Sequence, residues 1–314
     1  MNYSYRLFYK SISAAHIIYV ILPLLCLTTL ISAPIALLLG VIATQMIENP
    51  FANLSHKLIQ LLLKAAVIGL GFGMNIESAV IVGKEGFSLT AVSIICTLGL
   101  GLILGRFLKI DHKIAKLISS GTSICGGSAI AAISPLIRAN TNQISIAIGV
   151  VFLLNAVALF IFPPLGHLMQ MTQHQFGVWC AIAIHDTSSV VGAANVYGDE
   201  ALQVATTVKL ARALWIIPVS LLFAVFSKTD TKKIKIPYFI GLFVLSIILN
   251  TYIPQISSIT PHILFLSKLA LVLVLFLVGN TLNFRILKEV GVKPVILAVA
   301  LWIFIASTSL VYIL

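Results

Sequence analysis

The sequence carries little charge. Only 9% of its 314 residues are Asp, Glu, Lys or Arg, whereas about a quarter of the residues in a soluble domain are charged. Hydrophobic residues make up 60% of the chain, and the mean hydropathy is +1.10. A chain of this composition is expected to be solvated by lipid rather than by water.

Several chemical signatures are also missing. The cysteines Cys26, Cys96, Cys125 and Cys180 have neither CxxC nor CxxxC spacing and indicate no metal site or disulfide framework. No HExxH, GxSxG or phosphate-loop motif occurs. The excess of 20 Lys and Arg over 9 Asp and Glu is never gathered into a dense basic run. We therefore expect no enzyme activity, no metal, no cofactor and no nucleic-acid partner.

Apolar stretches punctuated by polar residues, Gly or Pro are what is present instead, and a membrane span needs about 20 such residues. We count eleven embedded segments: 16–30, 33–48, 55–75, 87–106, 112–138, 143–164, 174–197, 201–226, 237–253, 262–283 and 293–314. Segment 16–30 follows Arg6 and Lys10 as a signal peptide would, but no small-residue cleavage site comes before Pro34. The sequence thus predicts an all-α membrane protein, one polytopic domain over 1–314 with an extra N-terminal helix.

The basic residues predict the orientation, because Lys and Arg concentrate in cytoplasmic loops. With the N-terminus inside, Lys84 is outside, and Arg138 depends on how segment 112–138 is threaded. The other loop residues fall inside: Arg6, Lys10, Lys57, Arg106, Lys109, Lys113, Lys116, Lys228, Lys232, Lys233, Lys235, Arg285, Lys288 and Lys293. We expect a multi-pass bacterial inner-membrane protein with a cytoplasmic N-terminus and an external C-terminus.

An internal repeat is indicated by two self-matches. At an offset of 204, five residues recur: Lys64, Ala66, Phe72, Lys84 and Glu85 as Lys268, Ala270, Phe276, Lys288 and Glu289. At an offset of 60, the region after Ser128 matches that after Ser188, and Gln143 falls on Gln203. Inverted repeats are common in secondary transporters, and we place these near 33–164 and 174–314. Chance similarity in apolar sequence is the alternative.

The offset-60 match bears on topology. If 112–138 and 174–197 both cross the membrane, they run in the same direction, which an inverted repeat forbids. Re-entrant hairpins that open on opposite sides satisfy the inversion, bring Arg138 inside and leave the C-terminus outside. Broken helices that cross fully are the alternative, because segment length does not separate the two.

Both segments are interrupted by small polar residues, which the bilayer tolerates only where they line protein or a water-filled site. Matched interruptions in two repeats indicate a midplane binding site. A helix that restarts after such a break presents free N–H groups and a positive dipole end, which favours an anion. Close helix packing is the alternative explanation of the small residues. The candidate substrate-binding residues at the breaks are Thr122, Ser123, Gly126, Gly127, Ser128, Thr187, Ser188 and Ser189.

Charged residues within the apolar segments add to this site. Lys209 and Arg212 lie three apart in 201–226, where charge costs about 2.5 to 3.5 kcal/mol on insertion scales. We predict that they bind the anion; alternatively they snorkel to the interface or pair with Asp199 or Glu200. His185 and Asp186 are candidates for proton coupling. Asp186 has two other interpretations, neutralising the basic pair or capping the restarting helix.

Three strings carry a resemblance: GTSICGGSAIAA at 121–132, HDTSSVVGAA at 185–194, and VKLAR at 208–212 followed by Pro218. From about residue 15 the chain resembles the YeiH-type family of bacterial inner-membrane proteins, which carry a sulfate-exporter label. The resemblance implies membership of the superfamily of sodium/proton antiporters and bile-acid symporters. It also implies a core domain with paired broken elements that moves against a scaffold domain.

These observations predict a secondary transporter of a small anion, sulfate or a related oxyanion or organic acid, that works by alternating access with proton coupling. A sodium-coupled carrier of an organic anion, in which Asp186 and the breaks hold sodium, is the main alternative. An intramembrane enzyme and a passive channel are further alternatives. The expected partners are the anion, lipid and a coupling proton or sodium ion, with a homodimer as one compatible assembly.

Overall fold

The computed structural model describes residues 14–28, 30–47, 49–227, 238–281 and 291–314, and this part of the chain is helical without strands. Fourteen α-helices are described, with a short 3-10 helix, Pro254–Ser258, between α12 and α13. Their bounds are α1 Ala14–Cys26, α2 Ala33–Met46, α3 Ala52–Gly71, α4 Ile76–Phe107, α5 His112–Ser123, α6 Gly127–Ile133, α7 Thr141–Leu168, α8 Gln173–Ala183, α9 Thr187–Tyr197, α10 Asp199–Ala213, α11 Ile216–Ser227, α12 Tyr238–Tyr252, α13 Thr260–Gly279 and α14 Val292–Ile313.

Polar residues between the apolar stretches determine where helices begin. Asn75 caps α4, and Asp111 caps α5 by accepting from the amides of Lys113 and Ile114. Asn140 with Gln143, and Thr172 with Gln175, form capping boxes at α7 and α8. Such caps satisfy amides that the first helical turn leaves unpaired.

The all-helical prediction is confirmed, and each of the eleven predicted segments contains helix. Six helical stretches are long and apolar enough to cross a membrane, and α1, α2 and α12 are apolar but shorter. The count of eleven embedded segments therefore stays a prediction. Arg6, Lys10, the lysines of 228–235, Arg285, Lys288 and Glu289 lie outside the described residues.

Segment 112–138 folds back on itself as the hairpin interpretation expects, and it is called here the first hairpin. The Lys113 Nζ, at its start, donates to the carbonyl of Arg138, at its end, over 2.7 Å. The Gln143 Nε2, in the first turn of α7, donates to Asp111 over 3.2 Å. The segment thus enters and leaves at one end of the molecule, called here the α5 face. Because α5 has 12 residues, it extends about 18 Å, roughly half of a membrane crossing.

Residues 173–197 form the second hairpin, which opens at the opposite end of the molecule. The Tyr197 hydroxyl donates to the carbonyl of Met171 over 2.7 Å, and Tyr197 stacks on Phe176. The Gln173 side chain accepts from the amide of Glu200, where α10 begins. This end, called here the α8 face, is separated from the α5 face by α7, whose 28 residues extend about 42 Å.

The directions of the matched segments are those that an inverted repeat requires. The two hairpins enter from opposite faces. Helices α3 and α13 run antiparallel, with Gly69 beside Ser267 and Gly73 beside Leu264. The C-terminal end of α14 lies at the α8 face, where Gln175 donates to the carbonyl of Ile313. The repeat itself, its limits and the face that is cytoplasmic stay predictions.

The helices pack in two groups. Helices α1, α2, α3, α12 and α13 pack on one another, and we call them the five-helix group. Helices α4 to α11 and α14 form the hairpin group around both hairpins. The two groups meet mainly where α9 lies against α2 and α13.

Gly40 is a close-packing position in the five-helix group, and it generates a test. A Cβ there would overlap the backbone carbonyl of Phe276, so we expect Gly40→Ala to destabilise by about 1 to 3 kcal/mol through overpacking. Gly241 in α12 has open space around it. Gly241→Ala is the matched control and should be neutral or slightly stabilising. Thermal melting of the purified protein checks both, and equal melting temperatures would contradict the α2–α13 contact.

Candidate functional site

The tips of the two hairpins meet inside the hairpin group, and we call this place the junction. The first hairpin breaks between Ser123 and Gly127, and the second between Ala183 and Thr187. Gly126 has a φ of 61° and lies against the backbone of His185. The positive φ explains the glycine, since other residues rarely adopt it. Each tip therefore ends one helix and starts another at the same point.

Lys209 holds the tips together. Its ammonium donates to the carbonyl oxygens of Ile184 over 2.6 Å, Ala181 over 3.2 Å and Ile124 over 3.4 Å. These carbonyls lie at the C-terminal ends of α5 and α8, and the Lys209 side chain is fully buried. An ammonium has three donors, and here each has a carbonyl partner.

Arg212 binds the same two helix ends. Its Nε and Nη2 donate to the carbonyl of Ser123, over 3.0 and 2.5 Å, and its Nη1 donates to that of Ile182 over 2.7 Å. The side chain is fully buried. These bonds use three of the five N–H groups of a guanidinium. Lys209 and Arg212 therefore neither snorkel to the interface nor pair with Asp199 or Glu200, because their donors bind buried carbonyls. Asp199 is paired with Lys268 instead.

Both cations lie where a cation is favourable. A helix that ends leaves up to four carbonyls without an intrahelical partner and carries about half a negative charge there. Two such ends converge at Lys209 and Arg212. The bonds therefore stabilise the charges and satisfy the carbonyls together, far from either face.

Asp186 caps the restarting helix α9. Its carboxylate accepts from the amide of Ser188 over 3.0 Å and also from the Ser188 hydroxyl. This confirms the capping interpretation for this conformation. Ser188 is thereby engaged by Asp186, and Thr187 and Ser189 are buried next to it.

Asn155 also belongs to the junction, although it lies in none of the sequence motifs that predict the site. It lies near the middle of α7 and is buried, and its Oδ1 accepts from the amides of His185 over 2.9 Å and Asp186 over 3.3 Å. It thus satisfies two backbone amides that the break of the second hairpin exposes. Between Ser145 and His167, Asn155 is the one polar side chain of α7, and this was the signal available in the sequence.

Several buried polar atoms at or beside the junction have no partner among the described residues: Asn155 Nδ2, Thr122 Oγ1, and both ring nitrogens of His185. Thr97 Oγ1 is also buried without a hydrogen-bond partner among the described residues. Thr97 lies one turn along α4 from Gly101, which faces Ser119 of α5, so it is close to the level of Thr122. Buried polar groups normally have partners, and this concentration of unpaired ones marks a place for a polar ligand or water.

The remaining predicted residues differ in position. Ser123 is buried and its hydroxyl bonds within α5 to the carbonyl of Ser120, so its contribution to the junction is its own carbonyl. Gly127 is half-buried, with Phe152 beside it. Ser128 is exposed, so the structure does not bring it into the buried junction. Within the described residues no three His, Cys, Asp or Glu side chains cluster as a metal site would require.

Comparison with known proteins identifies the family. The model of the family described as conserved hypothetical protein 698 matches residues 8–298. This chain belongs to that family. A UPF0324 membrane protein of Photobacterium profundum is 48% identical over 305 residues, which are 97% of this chain and 94% of the relative. That of Shewanella oneidensis is 47% identical over 314 residues, 100% and 99% of the two chains.

A third UPF0324 membrane protein, from Bacteroides thetaiotaomicron, is 48% identical over 288 residues, 90% of this chain and 86% of its own. These relatives are named as membrane proteins, as the composition and the six long apolar helices of this family member indicate. No solved structure matches the chain.

Asn155 yields a test of the junction. We expect Asn155→Leu to destabilise by about 2 to 4 kcal/mol, because each unsatisfied buried amide costs about 1 to 3 kcal/mol. Asn155→Asp keeps an oxygen acceptor and should lose clearly less. Thermal melting of the two variants in detergent is the measurement, and an Asn155→Leu protein as stable as the wild type would exclude the bonds to the second hairpin.

Proposed function

We propose that this member of the conserved hypothetical protein 698 family is a secondary active transporter of a small anion in the bacterial inner membrane. The anion, sulfate or a related oxyanion or organic acid, binds at the junction and is exchanged between the faces by alternating access. In this proposal the protein is a carrier rather than an enzyme, and protons are the coupling ions.

The observation that carries the proposal is the charge at the junction. Lys209 and Arg212 contribute two positive charges, and the nearby carboxylate of Asp186 contributes one negative charge. The C-terminal ends of α5 and α8 each contribute about half a negative charge, and the N-terminal ends of α6 and α9 each contribute about half a positive charge, so these four contributions cancel. About one positive charge is left, and buried charge is stable only when paired. A small anion supplies that pairing.

The unpaired polar atoms fit the same ligand. Thr122, Asn155 and neutral His185 each have an N–H or O–H to donate. The Arg212 guanidinium has two further N–H groups beyond its bonds to carbonyls. Several buried donors, together with a positive charge, are what oxyanion recognition uses. Lys209, whose three donors are engaged, acts on the anion through its charge.

Proton coupling is proposed at His185 and Asp186. Protonation of Asp186 would weaken the cap on α9, because a neutral carboxyl accepts hydrogen bonds less strongly than a carboxylate. The N-terminus of α9 would then be free to receive an anion. His185 is buried beside it with both ring nitrogens unpaired, so it can exchange a proton with the ligand.

The contacts of Lys209 favour protons over sodium. A sodium ion at the breaks would need oxygen ligands, and the free carbonyls of the helix ends are the strongest ones there. Lys209 and Arg212 already bind five of them, those of Ser123, Ile124, Ala181, Ile182 and Ile184. In this proposal the Lys209 ammonium therefore binds the carbonyls that a coupling sodium ion would need.

Thr122→Val is the sharpest test of the anion site. It removes a buried hydroxyl that has no protein partner and nearly preserves the shape, so the fold should be retained. Loss of a hydrogen bond to a charged ligand costs about 1.5 to 3 kcal/mol, so we expect KM for the transported anion to rise about 10- to 100-fold. Counterflow in proteoliposomes against a panel of anions measures it.

The matched control is Ser220→Ala, which removes another buried, unpartnered hydroxyl, on α11 outside the junction. It should leave flux and KM unchanged. Arg212→Ala is a poorer test, because it strands the carbonyls of Ser123 and Ile182 and is expected to damage the fold. Absence of flux for every anion in wild-type proteoliposomes would refute the proposal, and so would equal KM values for Thr122→Val and the wild type.

Sodium independence is a separate expectation. Counterflow should be equal when sodium is replaced by choline and should respond to an imposed pH gradient, because Lys209 occupies the cation position. Loss of flux in choline would instead support the sodium-coupled alternative. Turnover far above carrier rates without counterflow would indicate a channel.

A further inference from the structure

A pocket opens at the boundary between the two helix groups, away from the junction. It lies between α3, α10 and α13, is partly open, and has a cavity volume of about 70 Å³. Its polar lining comes from Asp199, Gln203, Thr206 and Lys268, and its apolar lining includes Leu70 and Met74. Asp199 begins α10 at the α8 face, so the pocket belongs to that end of the molecule.

An ion pair spans the pocket and the boundary. The Lys268 Nζ, on α13 of the five-helix group, lies 2.5 Å from the Asp199 Oδ1 on α10 of the hairpin group. The two side chains are 36% and 78% exposed. Asp199 lies at the α8 face with most of its side chain exposed, and an ion pair this exposed is weak and opens readily.

The position of Lys268 is unusual for a charge. It lies in the middle of α13, an apolar helix long enough to cross a membrane, and intramembrane charge is by default a sign of function. Its repeat counterpart, Lys64, lies instead over the ring of Tyr238 and lines no pocket of this kind. Snorkelling to the interface would explain Lys64 and Lys268 equally well. It does not explain why only Lys268 lines a pocket.

The floor of the pocket leads towards the junction. Thr206 lines it and is buried, and Lys209 follows three residues later on the same helix. That separation is about 4.5 Å along the axis, less than one turn. The fully buried Lys209 is not itself part of the lining, so the pocket stops just short of the junction.

We propose that this pocket is the entrance for the anion from the α8 face, and that Lys268 is its first ligand. The incoming anion replaces Asp199 as the partner of Lys268 and then passes Thr206 to the junction. The sign of the ligand rests on the proposed function. The Lys268–Asp199 pair acts as a selectivity element. An anion can replace Asp199 as the partner of Lys268, whereas a cation would have to displace Lys268 from Asp199.

Site-directed labelling tests the entrance without any need for flux. Cys96 is the exposed one of the four cysteines, and Cys96→Ser gives the background in which Thr206→Cys is introduced. In nanodiscs, which expose both faces, the labelling rate is measured with a sulfonate and with a trimethylammonium thiosulfonate reagent of similar size. The ratio of the two rates reports the charge along the path.

We expect Thr206→Cys to be labelled. At low salt, Asp199→Asn should raise the ratio of anionic to cationic labelling about threefold, and Lys268→Gln should lower it about threefold, as one charge several ångströms away predicts. Ser257→Cys, on an exposed residue of the 3-10 helix outside the pocket lining, is the control whose ratio neither change should move. No labelling of Thr206→Cys, or a ratio that ignores both substitutions, would overturn the entrance.

Transport separates this inference from the proposed function. Lys268→Gln should raise the KM for anion added at the α8 face and leave the maximal rate unchanged, because the junction is intact. The predicted labelling pattern in a protein without anion flux would uphold a charge-selective pocket and refute the transport proposal. Normal flux with an unchanged KM in Lys268→Gln would uphold transport and refute Lys268 as first ligand.

Discussion

The contact between two buried cations and two helix ends is the interaction on which the rest of the structure depends. Each hairpin breaks its helix about halfway across the expected hydrocarbon layer, and the last carbonyls of a broken helix find no water there. Lys209 and Arg212 supply the missing donors to α5 and α8. Without them, neither hairpin could end at mid-depth.

The dependence is mutual. A lysine or arginine in the membrane interior is costly unless it is paired with a carboxylate or with carbonyls. Here the partners are mostly carbonyl groups at the negative ends of helix dipoles. Carbonyls have no formal charge, so they stabilise both cations without neutralising them. A carboxylate partner would have neutralised each cation, whereas carbonyls leave an electropositive site. That residual charge is the basis of the proposal that the junction binds an anion.

The sequence predicts much of this because membrane helices are governed by composition. Apolar runs gave helices in all eleven segments, and the glycine and hydroxyl breaks at Gly126 and Thr187 marked the true interruptions. The opposite entry of the hairpins followed from a repeat match and from the demand for inversion. Each of these inferences uses local patterns that the bilayer enforces strictly.

Partners across the fold could not be predicted in this way. Asn155 lies about 30 residues from the amides it binds, and no local pattern connects them. Lys268 and Asp199 are 69 residues apart and no local pattern connects them, yet they form an ion pair across the helix-group boundary. Ser128 was selected with its neighbours in the break, but the turn of α6 leaves it exposed. Side-chain direction after a break depends on backbone angles such as those of Gly126, which the sequence does not specify.

The contacts of Lys209 and Arg212 with the two helix ends also determine which parts of the molecule can move. Lys209 and Arg212 tie both tips to α10, and Asn155 ties the second tip to α7, so the junction is held by several bonds within the hairpin group. Polar contacts between the groups are fewer and lie near the α8 face, as with Gln203 and the carbonyl of Gly73. Separating the two hairpin tips would leave buried carbonyls and charges without partners. Sliding of the two helix groups along their boundary would break mainly apolar contacts and hydrogen bonds that water can replace. A change of access is therefore expected at the boundary, with the junction carried intact.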